Sequence, residues 1–212
     1  GLGGGVSAEV FLPFYTSHTV QGSDAMGVVL DDKAGGIGDP IVGLRFDLLN
    51  KEYIAISGSV SLGLPFGQAT LGKNGNLFTG DDEFNQLLKL NASVPFGTPS
   101  LSGFGTVYVG FNNRNDFFTD EFHYGIESGI SLLKNQMWII GRVNGIEAPS
   151  SPDLEMATNG FINSMSFVSY GVEVSFKTGK KTGITAGYQG LVEGNILLIA
   201  PTYNFGIYLD IK

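Results

Sequence analysis

The chain has no cysteine in its 212 residues, which removes both a disulfide framework and any thiolate metal site. It has no run of about 18 apolar residues, and that excludes a helical membrane span. Basic residues are scarce, with 12 Lys and Arg against 20 Asp and Glu and a net charge of −8. Nucleic acid is therefore excluded as a partner, because phosphate binding needs a basic face. Histidine is limited to His18 and His123, which leaves little material for general-base catalysis. The first residues carry no basic, apolar and small-residue leader, as expected of a chain from which any signal peptide is gone.

What is present is glycine and alternation. The 32 glycines are about twice average usage, without a collagen period. They fall at turns or alternate with apolar residues, where a barrel interior needs small groups. Residues 122–132 show the alternation most clearly. Phe122, Tyr124, Ile126, Ile130 and Leu132 fall on one face, and His123, Gly125, Glu127, Gly129 and Ser131 fall on the other. Side chains in a strand point to opposite faces with period two. Strands of roughly 9–11 residues with this pattern, separated by turns, mark a transmembrane β-barrel.

The expected strands are 5–15, 39–49, 53–64, 83–94, 103–113, 122–133, 137–146, 165–176, 183–191 and 196–211. Connections alternate between short (49–52, 96–100, 134–136, 177–181) and long (16–38, 65–82, 114–121, 147–164), with 192–195 as an exception. The reading is all-β: one domain over residues 1–212, an antiparallel up-and-down transmembrane barrel of ten strands. An even strand number with short periplasmic turns and longer outer loops describes bacterial outer-membrane barrels, and it puts both termini in the periplasm. Acidic residues gather in the long loops (Asp24, Asp31, Asp32, Asp81, Asp82, Asp116, Asp120, Asp153, Glu155). Lysines gather in the short turns (Lys51, Lys134, Lys177, Lys180, Lys181).

The two faces can be assigned along every strand. One carries Val6, Val10, Leu44, Phe46, Val60, Val107, Val109, Val172, Val174, Phe205 and Ile207. The other carries the lumen-facing candidates Glu9, Arg45, Asp47, Lys89, Tyr108, His123, Glu127, Arg142 and Glu173, with Asn91, Asn112, Asn144 and Asp210. A soluble sandwich also alternates, but strand length, glycine content and loop asymmetry favour the membrane barrel. Phe14, Phe46, Phe111, Phe122 and Phe176 near strand ends suit interfacial girdles. Eight strands leave an interior just filled by side chains, so ten imply a narrow lumen. Charges there must pair or meet water, which predicts a salt-bridged, hydrated network of Arg45, Lys89, Tyr108, Glu127, Arg142 and Glu173.

Several stretches resemble a known family. Residues 204–211 resemble the C-terminal assembly signal of outer-membrane proteins, departing from it by ending in Ile211-Lys212. Pro201 removes a ladder donor and is expected to mark a bulge in that strand. Four further stretches resemble, in order, the phenol-degradation MetA-pathway family of outer-membrane transporters. They are Gly38-Asp39-Pro40-Ile41-Val42-Gly43-Leu44-Arg45-Phe46-Asp47-Leu48-Leu49, Leu62-Gly63-Leu64-Pro65-Phe66-Gly67, Thr79-Gly80-Asp81-Asp82-Glu83-Phe84-Asn85-Gln86 and Gly110-Phe111-Asn112-Asn113-Arg114 with Phe118-Thr119-Asp120-Glu121-Phe122. The resemblance implies a β-barrel of about twelve strands, hence a hairpin upstream of Gly1 or a smaller barrel. It also implies a channel for small aromatic or hydrophobic compounds, an inference by analogy.

An enzyme is not expected. His18 lies in a polar loop. His123 lies near Glu121 and Glu127, which could orient its ring, but no Ser follows two residues on, as it does in barrel lipases. Asp81-Asp82-Glu83 lacks the spacing of a dedicated calcium loop. No cofactor and no metal site are expected. The expected partners are the outer-membrane bilayer and a small solute. The alternative is a structural barrel that binds an envelope protein.

Overall fold

The computed structural model describes residues 5–23, 29–68, 70–73, 77–80, 82–98, 101–115, 119–148, 166–194 and 201–209. Twelve strands form in chain order: β1 (Val6–Phe11), β2 (Thr16–Ser23), β3 (Val29–Gly36), β4 (Ile41–Lys51), β5 (Ile54–Gly63), β6 (Asn85–Thr98), β7 (Leu101–Asn113), β8 (Glu121–Leu132), β9 (Met137–Glu147), β10 (Phe167–Lys177), β11 (Thr182–Gly194) and β12 (Thr202–Leu209). Ten of them make one antiparallel sheet in the order β1-β4-β5-β6-β7-β8-β9-β10-β11-β12, and β2 pairs only with β3. The up-and-down order expected from the alternating pattern is present. The edges of the sheet are β1 and β12, and no ladder joins them among the described residues.

Burial is inverted relative to a water-soluble domain. Among the described residues the buried hydrophobic side chains are Ala34 and Leu77, both outside the ten-stranded sheet. The buried set is otherwise polar and includes Ser57, Ser59, Glu83, Asn112, Glu121, Ser131 and Ser169. Val60, Leu88, Val107, Val109, Val172 and Phe205 are exposed. A soluble sheet cannot leave such an array in water, because each apolar side chain loses roughly 1.5–3 kcal/mol of burial. Around this sheet the apolar solvent has to be lipid.

The ladders set the two faces. Val107 pairs with Ile126 and Val109 with Tyr124, whereas Tyr108 pairs with Gly125 and Thr106 with Glu127. The same parity continues through Val143 and Arg142 on β9, then Val172 and Glu173 on β10.

Glycine has a second use beyond filling the interior. A side chain at Gly145 would strike the ring of Tyr124, and one at Gly183 would strike Tyr208. Gly129 lies the same way under Phe104, and Gly190 under Tyr170. Each aromatic ring covers a glycine of the neighbouring strand, on both faces of the sheet. The glycine excess is therefore partly the complement of the aromatic content.

Several boundaries differ from expectation. The first strand ends at Phe11 rather than Tyr15, because Pro13 supplies no ladder donor. The expected 16–38 loop is a hairpin of its own, in which Gln21 pairs with Asp31 and Val20 with Asp32. Buried Asp32 accepts the backbone N–H of Lys33 and of Lys73, tying that hairpin to the 64–84 connection. The expected turn at 96–100 is mostly strand, since β6 and β7 stay paired out to Thr98 and Leu101. Pro201 precedes β12 instead of bulging it, while 196–200, Met165, Asp210 and Ile211 lie outside the described residues. Asp24, Asp81, Asp116, Asp153 and Glu155 also lie outside them.

Candidate functional site

The ladders bring all nine lumen candidates onto one face in successive layers across the strands. One layer runs Ser7, Arg45, Ser59, Lys89, Gly110, His123. The next runs Ser57, Asn91, Tyr108, Gly125, Asn144, Ser169. A third runs Ser93, Thr106, Glu127, Arg142, Gly171. Glu9 shares the face opposite Gly43, and Glu173 shares it opposite Ile140. Asp47 lies opposite Ser57 next to a bulge that displaces Leu48, and it is exposed.

The centre of this face is a triad. Arg142 Nε donates to Glu127 Oε2 at 2.9 Å, and a terminal guanidinium nitrogen donates to Glu173 Oε2 at 3.1 Å. The three side chains come from β8, β9 and β10, and all are about a quarter to a third exposed. The sequence supplies this by placing one Arg between two Glu on adjacent strands, with Gly171 opposite Arg142. A side chain at Gly171 would press on the stem of that arginine. Beside the triad, the Tyr108 hydroxyl donates to Asn144 Oδ1 at 2.8 Å. The Lys89 ammonium stands 4.6 Å from the Tyr108 ring centroid, close enough for a cation–π attraction. Ser93 and Thr106 exchange a hydroxyl hydrogen bond of 2.8 Å, and Gln189 donates to Ser169.

The expected network of charges is thus only partly one network. Glu127, Arg142 and Glu173 form it. Lys89 is held by an aromatic ring, and it feels Glu9, Arg45 and Glu127 through space. The polar face alternates small groups (Ser57, Ser59, Gly110, Gly125, Gly171) with a few long ones, which leaves room beside each charge.

A second cluster lies at the end of the sheet that carries the long connections. Arg114 bridges Glu83 at 2.7 Å and Glu121, and its backbone N–H is held by Asp120. Glu121 also accepts from Asn112 and pairs with His123 Nε2 at 2.9 Å. Asn112 donates to Asn85 as well, and its own Oδ1 is buried without a partner among the described residues. Glu83 is 1% exposed, and it accepts the backbone N–H of Asn115. The cluster ties the 64–84 connection to the 114–120 connection. Glu83 is occupied by Arg114, a pairing that the sequence pattern around Asp81-Asp82-Glu83 did not signal. His123 has Gly110 and Ile146 as its ladder neighbours, neither of which carries a nucleophile.

No family model matches the chain, and no curated protein does. Among solved structures, the chain is similar to the KdgM porin in complex with disordered oligogalacturonate. The TM-score is 0.53 at 12% identity, covering 98% of this chain and 98% of that one. At that identity the likeness concerns the fold alone.

Proposed function

We propose that the protein is a channel of the bacterial outer membrane with a narrow path for small solutes, its tight turns and both termini facing the periplasm. The observation that carries this is the inverted burial, an apolar surround around a polar face lined by Arg45, Lys89, Glu127, Arg142 and Glu173. Such a face has no use inside lipid unless water or solute meets it. The porin neighbour supports a channel rather than an enzyme.

The finer reading concerns the solute. An oligogalacturonate is a chain of carboxylates and wants free cations. Here Arg142 is committed to two glutamates, and Glu9 and Asp47 offset Arg45 and Lys89. The path is better suited to small neutral or amphipathic molecules. Compounds with an aromatic ring fit the Tyr108, Phe104 and Trp138 rings, and the MetA-pathway resemblance points to the same class. Conductance of the purified protein in planar bilayers tests the channel. A steady current reduced by millimolar simple phenols, and indifferent to oligogalacturonate, is expected. Absence of current together with a co-purifying envelope protein would favour a structural barrel instead.

A further inference from the structure

The lipid-facing side of β10, β11 and β12 carries a groove of about 430 Å³, lined by Val174, Phe176, Ile184, Ala186 and Phe205 with the backbone at Thr185 and Gly206. Its cause lies in the sequence. Ala186 pairs with Val174 on one side and with Phe205 on the other, so a methyl group forms the floor between two larger walls. Phe205 is 84% exposed, and no strand covers the free side of β12 among the described residues. The volume falls in the range of roughly 300–1,000 Å³ typical of small-ligand sites. The lining is almost wholly apolar, which suits a hydrocarbon chain.

Charge identifies which hydrocarbon. Phe176 and Ile184 are the last outward ladder pair, and the following pair, Lys177 and Gly183, lies on the polar face where the β10–β11 turn begins. That turn carries Lys180 and Lys181, both exposed. The groove therefore ends against a doubly basic turn at the depth where lipid headgroups meet a barrel's tight turns. Past the other end, the next outward pair on β11 and β12 is Tyr188 and Tyr203, whose rings meet edge-on at 5.4 Å. We propose that this is a binding site for one anionic phospholipid, with an acyl chain lying over Ala186 and the phosphate at Lys180 and Lys181. The inference rests on the membrane reading of the outward face and needs no channel activity.

Purified protein in detergent is incubated with equal phosphatidylglycerol and phosphatidylethanolamine, and retained lipid is read by native mass spectrometry. One phosphatidylglycerol is expected to persist preferentially. A Lys180→Gln, Lys181→Gln variant should lose at least about fivefold of that preference, the worth of a single lysine near an anionic surface. Ala186→Phe fills the groove and should release both lipids; if it fails to fold, Ala186→Leu replaces it. Equal retention of the two lipids, an unchanged preference in the lysine variant, or full binding to the filled groove overturns the site. Planar-bilayer current separates the two proposals. A protein without current that keeps the preference fails as a channel only, and a conducting protein without the preference fails this inference only.

Discussion

Glu127 and Arg142 face each other directly across β8 and β9 and form a hydrogen-bonded ion pair of 2.9 Å on the polar face of the sheet. Glu173, on the far side, holds the same guanidinium at 3.1 Å. One cation between two anions leaves this point net negative, and removing the cation makes it more so. Arg142→Ala should give a larger single-channel conductance with reversal potentials shifted toward cations, because acidic rings favour them. Unchanged conductance and selectivity would show that Arg142 does not line the path.

Neighbouring residues on β10 test the face assignment. Val172 is 48% exposed on the apolar side, whereas Glu173 turns to the polar side. Val172→Arg should cost about 2–4 kcal/mol, the range for a cation near the bilayer midplane, and Glu173→Gln much less. Refolding titrations into lipid vesicles measure both. Equal costs would mean a register slip of one residue, which inverts every side chain on a strand.

Arg114 tests the tie between the two long connections. Its guanidinium is the shared cation of Glu83 and Glu121, all three being more than nine-tenths buried. Removing one partner of a buried pair costs roughly 3–5 kcal/mol, because a charge is left behind in a poor solvent. Arg114→Leu should therefore destabilise the fold by about that amount and open residues 64–84 and 114–120 to limited proteolysis. Wild-type stability and an unchanged digestion pattern would reduce the cluster to surface decoration.

Much of this was legible in the chain because a membrane sheet is written with period two. Val172 and Glu173, or Val143 and Arg142, cannot exchange faces without turning a charge into lipid, so alternation alone placed the polar candidates together. The hairpin β2–β3 was not legible, since Gln21-Gly22-Ser23 and Asp31-Asp32-Lys33 are polar and carry no such period. The rim cluster was hidden for a different reason. Arg114 and Glu83 stand 31 positions apart at strand ends, and the pairing depends on how two connections fold back, which local pattern does not encode. Glycine was half-read. Its role in keeping the interior small was visible, but its role beneath Tyr124 and Tyr208 depends on strand register.

That last point gives a test free of charge changes. Tyr108 lies over Gly125, and a Cβ there would come within 2.5 Å of the ring and 2.8 Å of Asn144 Oδ1. Gly125→Ala must therefore push the ring aside, break the Tyr108–Asn144 hydrogen bond, or both, at a cost of roughly 1–3 kcal/mol as for other overpacked sites. Lys89, held over that ring, has to move with it. If Tyr108 and Lys89 border the solute path, Gly125→Ala should change conductance and weaken block by simple phenols, while the net charge stays the same. Tyr108→Phe separates the two contributions, because it keeps the ring under Lys89 and removes only the hydroxyl bonded to Asn144. Block weakened in Gly125→Ala but retained in Tyr108→Phe assigns the effect to the ring's position. Wild-type block in both variants would remove Tyr108 from the path.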